Sequence, residues 1–360
     1  FNDFDRALKT IHTYLLSNNN ILFDEAAFLP AEDPESSSGS RVRNRPVCCL
    51  SVDIVVRNVR VQKKDSKGRF LRQSSAFTGR ISNAEAAIRS GLRLYVAYIC
   101  PWATRTLIAR SLLELEEVID LRIVEPMLGD FGWKFGSFSG ATNSGIDGIE
   151  FAHQLYTRSD EQYTGRATVP ILWDISANTI INNESSDILK IFNNDLRPIH
   201  NSSINLYPDE LKPQIDVFNE SIYDSVNNGV YRAGFASSQY AYDEAIDTIF
   251  AKLEDLEKHF SHNLYAVGNQ LTESDIRLFV TLVRFDVAYF GLFKTNIKLL
   301  SDYPSISDYL QRLLEIPAFA DNTRIDHIKT GYYSIKALNP SGIVPQGPKL
   351  KWFKYLSDGI

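Results

Sequence analysis

Strand-like and helical spacings of apolar residues alternate up to about residue 200, and only helical spacing follows. Residues 94–99 form a run of aromatic and aliphatic side chains of strand type that ends at Cys100-Pro101. A helix is predicted to start there, because proline is favoured at the first helical position, where its missing N–H would have no partner anyway. Leu107, Ile108, Ser111, Leu112 and Leu115 then fall on one helical face. Further strand-like runs occupy residues 121–124, 168–173 and 179–181. The last leads through Asn183-Glu184-Ser185-Ser186-Asp187 into an apolar helical stretch at 188–192. Strand, helix, strand, then two neighbouring strands and a closing helix predict a modest α/β domain.

Beyond residue 209 the helical period dominates. Ile215, Phe218, Ile222 and Val226 repeat at three and four, as do Ala245, Ile249, Leu253 and Leu256. Thr272-Glu273-Ser274-Asp275 is a capping box. Thr272 is placed to accept the Asp275 N–H, and the Asp275 carboxylate to reach back to the Thr272 amide, a structural rather than chemical role. The helix behind it carries Leu278, Phe279, Leu282 and Val283 and is predicted to lie centrally. The expected organisation is an extension over 1–75, an α/β domain over 76–200, an all-helical domain over 205–330 and a Pro/Gly-rich strap over 331–360.

The extension is basic, with eleven Lys or Arg against two Asp between residues 41 and 80, and contains Ser- and Asn-rich runs. It suggests a solvated segment or an organelle transit leader. The whole chain has a net charge of −6, which argues against a protein that coats nucleic acid. No apolar run is long enough to span a membrane as a helix. Three cysteines, Cys48, Cys49 and Cys100, are too few for a disulfide scaffold and fit a reducing compartment such as the cytoplasm, with an organelle as the alternative. The histidines show no metal-ligand spacing beyond His259 and His262, so no metal is expected.

Chemistry is expected first at Cys100. A sulfur at a helix start faces unpaired N–H groups and the positive end of the helix dipole, which favours thiolate. Ala103 stands where a Cys-x-x-Cys motif has its second cysteine, so a mixed disulfide on Cys100 needs an external thiol, of which glutathione is the abundant one. Val169-Pro170 interrupts an apolar strand. With a cis bond there, Val169 offers its main-chain N–H and C=O to a peptide-like ligand. Glu184-Ser185, at a strand-to-helix junction, supplies a carboxylate for an ammonium group and a hydroxyl and amides for a carboxylate, or simply a helix cap at Ser185.

Cys-Pro-Trp-Ala, Val-Pro-Ile-Leu-Trp-Asp and Asn-Asn-Glu-Ser-Ser, in this order ahead of a helical half, resemble the glutathione transferase superfamily. Asn-Asn-Gly-Val-Tyr at 227–231 and Arg-Phe-Asp at 284–286 make the likeness narrower, to the Xi class, the glutathionyl-hydroquinone reductases. The resemblance implies a thioredoxin-like domain with cis Pro170, an all-α domain, and a homodimer. It implies Cys100 as the catalytic thiol and glutathione as co-substrate, held by Trp133, Arg166, Val169, Glu184 and Ser185. Tyr223 and Tyr332 are implied as catalytic residues that line a pocket for aromatic, quinone-derived substrates and hydrogen-bond the hydroquinone hydroxyl. Thr104 departs from the pattern, which usually has His. The competing expectations are an omega-like thiol transferase or dehydroascorbate reductase, and a non-catalytic ligand-binding protein of the same fold.

Overall fold

The structure, a computed structural model, describes residues 63–356. Cys48, Cys49 and most of the expected extension lie outside the described residues. The first half holds α1 (Ala84–Ser90), β1 (Leu92–Val96), α2 (Pro101–Leu112), β2 (Ile119–Ile123), a two-residue pair β3 (Leu128–Gly129) and β4 (Gly132–Trp133), α3 (Ala152–Ser159), β5 (Ile171–Asp174), β6 (Thr179–Asn182) and α4 (Ser185–Lys190). Four strands form one sheet in the order β2-β1-β5-β6. β1 runs parallel to β2 and antiparallel to β5, and β6 is antiparallel to β5. The alternation of periods predicts an α/β domain, and this sheet is the thioredoxin-like arrangement that the family resemblance implies. Every residue of β1 is buried, so the sheet is covered on both faces, and its run is apolar apart from Arg93.

The second half contains α5 (Lys212–Ile222), α6 (Gly229–Gly234), α7 (Gln239–Phe260), α8 (Glu273–Arg284), α9 (Phe290–Leu292), α10 (Pro304–Leu314), α11 (Pro317–Ala320) and α12 (Ile325–Tyr333). Wider π-type turns continue α5 to Asn227 and α8 to Tyr289. In α8 every residue except Arg277 is buried, as expected of a central helix, and it packs along α2 of the first half. Glycine decides one close approach. A Cβ on Gly331 in α12 would sit 2.4 Å from Ile99 Cδ1 and 2.6 Å from the Pro126 carbonyl, so only glycine lets α12 lie against the end of the β1 segment.

The start of α8 is a hub. The Asp275 carboxylate accepts from the amides of Thr272 (2.9 Å) and Ala266 (2.8 Å) and from the hydroxyls of Thr272 (3.2 Å) and Tyr309 (2.9 Å). Burial pushes the Asp275 carboxyl above its ordinary value while these donors pull it back. Removing the acceptor strands several buried donors at once. Asp275→Ala is expected to lose about 3–4 kcal/mol of stability, read as a lower midpoint in urea unfolding.

Among the described residues no helix is long and apolar enough to cross a membrane, and no cluster of His, Cys, Asp and Glu could hold a metal.

Candidate active site

The turn after β1 brings Cys100 to the head of α2. Cys100 occupies the cap position with Pro101 behind it, and its amide donates to Ala97 O at 3.0 Å. The amides of Ala103 and Trp102 and the guanidiniums of Arg284 and Arg72 lie near enough to act on the sulfur, although no amide makes a cap hydrogen bond to it. The expectation of a lowered thiol pKa is nevertheless not met. Burial pushes the Cys100 thiol up, and the amides and arginines only partly oppose it. The helix start was legible in the sequence; the cost of enclosing the sulfur between two domains was not.

Cys100 Sγ lies 3.5 Å from Val169 O, and the Val169–Pro170 bond is cis. This segment is tied to the end of β6 by one buried hydroxyl. Tyr156 donates to Thr168 O (2.8 Å) and accepts from Asn183 Nδ2 (2.9 Å). Glu184 and Ser185 follow directly at the head of α4. Glu184, not Ser185, makes the cap: its carboxylate accepts from Ser186 N at 3.2 Å. Ser75 Oγ donates to the other carboxylate oxygen at 2.8 Å. Ser185 is buried and faces Arg105 Nη1 at 3.5 Å. Arg105 rises from α2, so one helix carries the thiol and braces the Glu184-Ser185 corner. Arg105 also donates to Asn227 Oδ1 at 3.0 Å and covers the Trp102 ring, its centre 4.4 Å from the ring centroid. Burial lowers the Arg105 guanidinium to about 9.

The remaining expected residues divide. Arg166 donates its amide to Gln73 Oε1 at 3.3 Å, and burial lowers its guanidinium, with Arg72 adding to the effect. Trp133 is half-buried in the β3–β4 pair. Tyr332 meets two other tyrosines: its hydroxyl lies 2.5 Å from that of Tyr231 and 2.9 Å from that of Tyr289. Tyr223 is not part of this cluster. It is 38% exposed, with its ring 5.9 Å from that of Trp102. Thr272 and Asp275 serve the start of α8. Burial raises Tyr231, and raises Tyr289 and Tyr332 well above the ordinary phenol value, so all three are neutral donors at physiological pH. Tyr231 also feels the charge of Cys100.

The comparisons with known proteins identify the family. Family models match at residues 99–195 (glutathione S-transferase, N-terminal domain) and 239–312 (glutathione S-transferase, C-terminal domain). The glutathionyl-hydroquinone reductase PcpF of Sphingobium chlorophenolicum is 41% identical over 300 residues, 83% of this chain and 96% of its own. The crystal structure of a Xi glutathione S-transferase from Phanerochaete chrysosporium superposes with a TM-score of 0.77 at 42% identity, covering 79% of this chain and 95% of that one. The chain belongs to the Xi class of the glutathione transferase superfamily. The glutathione-bound structure of YqjG from Escherichia coli also matches, with a TM-score of 0.71 and 44% identity over 72% of this chain and 86% of that one.

Three residues of this Xi-class transferase escaped the sequence reading. Tyr231 ends the Asn-Asn-Gly-Val-Tyr motif and Arg284 opens Arg-Phe-Asp, so both lay inside the segments that mark the class, without a pairwise signal to assign them. Arg72 lies in the stretch assigned to the extension. There Arg69 pairs with Glu244, Phe70 is buried, and Ser75 and Phe77 bond to Glu184 and Asn183. Residues 69–77 thus form one wall of the site.

Proposed function

We propose that the protein reduces glutathionyl-hydroquinones with glutathione, through a mixed disulfide on Cys100. The observation that carries the reading is the position of the thiol, beside the Val169 carbonyl and within electrostatic reach of Tyr231, whose hydroxyl meets that of Tyr332 in a cluster of neutral phenols. The Val169 main chain is suited to pair with the peptide of the glutathionyl group. Glu184 and Ser185 suit its charged γ-glutamyl end, with Arg166 and Trp133 as further contacts.

In the first half-reaction the Cys100 thiolate attacks the glutathionyl sulfur. The bond from that sulfur to the ring carbon breaks, the ring carbon takes a proton, and hydroquinone leaves with glutathione bound to Cys100 as a disulfide. In the second, a glutathione thiolate attacks the glutathione sulfur of that disulfide, and oxidised glutathione leaves with the Cys100 thiolate restored. The ring carbon is reduced by two electrons, and the thioether sulfur of the substrate and the thiol of one glutathione become one disulfide. The Tyr231–Tyr332 pair suits a hydrogen bond to a ring oxygen: one hydroxyl gives its proton to the other, whose own proton is left for the ring oxygen, which favours the keto form of the ring, whose carbon–sulfur bond a thiolate can break.

The phenol cluster favours this substrate class over dehydroascorbate or simple mixed disulfides, which offer no aromatic ring to polarise. The test is product analysis with glutathionyl-menadione and excess glutathione. Hydroquinone and oxidised glutathione are expected in equal amounts, at a rate far above that on dehydroascorbate. The reverse order of rates assigns the omega-like activity instead. The same reading takes a homodimer as the working form and the cytoplasm or an organelle as its place.

A further inference from the structure

Arg284 is 1% exposed and has no carboxylate partner among the described residues. Its donors end on neutral oxygens: Tyr98 O (2.7 Å), Ile99 O (3.0 Å), Thr104 Oγ1 (2.8 Å) and Val280 O (2.6 Å). Three of these four acceptors belong to the turn that carries Cys100. Thr104 closes the circuit, since its hydroxyl donates to Cys100 O at 3.0 Å. An enclosed cation with only dipoles for company is costly, and such a charge normally pairs with an anion.

A second cation stands on the open side. The Arg72 guanidinium lies 4.5 Å from the Trp102 ring centroid and 5.0 Å from that of Tyr231, and its Nε donates to Asn228 Oδ1 at 3.0 Å. Its two terminal nitrogens meet no acceptor among the described residues. Trp102 is in the first turn of α2, so Arg72 sits over the thiol turn from outside while Arg284 supports it from within.

We propose that Arg284 and Arg72, neither of them on the sheet or helices of the thioredoxin-like half, are the positioning residues that supply the counter-charge to the Cys100 thiolate. The proposal rests on the reading of Cys100 as the nucleophile and adds what stabilises its ionised form. Tyr231 also feels the charge of Cys100, and its phenol stays neutral, as do those of Tyr289 and Tyr332 in the same cluster. Both arginines pull the thiol down against the effect of burial. Without them the thiol ionises at a still higher pH.

The experiment is the pH dependence of iodoacetamide alkylation in the full chain, followed at the Cys100 peptide by mass spectrometry. Arg284→Gln is expected to move the midpoint up by about one pH unit and to slow alkylation at neutral pH about tenfold. Arg72→Gln, at an exposed position with salt screening, is expected to move it by about half a unit and slow the reaction about threefold. Arg284→Lys keeps the charge and holds the midpoint within about 0.3 unit of the parent. A purely structural role for Arg284 predicts the same loss of turnover in Lys and Gln variants with an unmoved midpoint. An unmoved midpoint in either folded Gln variant overturns the assignment for that arginine. If Arg284→Gln does not fold, Arg72→Gln decides alone. Unmoved midpoints with an inactive Cys100→Ser protein sink this inference only, whereas an active Cys100→Ser protein sinks the nucleophile reading itself.

Discussion

Cys100→Ser is expected to lose at least about three orders of magnitude in kcat on glutathionyl-menadione, a barrier increase of about 4 kcal/mol, with unfolding unchanged. A serine hydroxyl keeps the size of the thiol but stays protonated, and it cannot form the disulfide that stores the glutathionyl group between the two half-reactions. The loss should therefore appear in both of them, and no covalent glutathione adduct should form at this position. Turnover within about tenfold of the parent would sink the proposed route. The parent enzyme should also show a particular pH profile. Because burial holds the thiol above its ordinary value, kcat/KM is expected to rise with pH as that thiol ionises. No falling limb is expected from the phenols below the ordinary tyrosine range, because all three are shifted upwards.

The second large effect is expected at the tyrosine cluster. Tyr332→Phe and Tyr231→Phe should each lower kcat by about ten- to a hundredfold while leaving the KM for glutathione nearly unchanged, since neither hydroxyl belongs to the Glu184-Ser185 corner. Because their hydroxyls share one hydrogen bond of 2.5 Å, the two losses should not add in the double variant. Tyr223→Phe is the informative control. Its ring borders Trp102 rather than the cluster, so an effect as large as that of Tyr231→Phe would return the role to Tyr223. Steady-state kinetics on the three single variants and the double variant decides the matter.

What the sequence made legible was local. The Cys100-Pro101 junction, the bend at Val169-Pro170 and the strand-to-helix step at Glu184 each rest on neighbouring residues whose conformational preferences point the same way, and their order along the chain marks an α/β domain. The Glu184 cap replaced the expected Ser185 cap because a longer side chain reaches the Ser186 amide as readily. What the sequence hid was long-range. Tyr231 and Tyr332 are 101 residues apart, and Arg284 finds the Cys100 turn across more than 180. No period or motif records such pairings. The stretch around Arg72 was obscured for another reason: its polarity reflects residues that face a ligand site and the helical half, which composition alone cannot tell from residues facing solvent.

The Arg284 fork has a consequence for the ancestry and engineering of this chain. Two main-chain oxygens beside the nucleophile, on Tyr98 and Ile99, depend on a side chain from the other half of the molecule. Grafting the sheet-bearing half onto a foreign helical partner would leave those oxygens bare and the nucleophile's loop without its brace. The two halves are therefore bound to change together, and a recombinant hybrid that ignores this pairing should inherit a thiol without its reactivity.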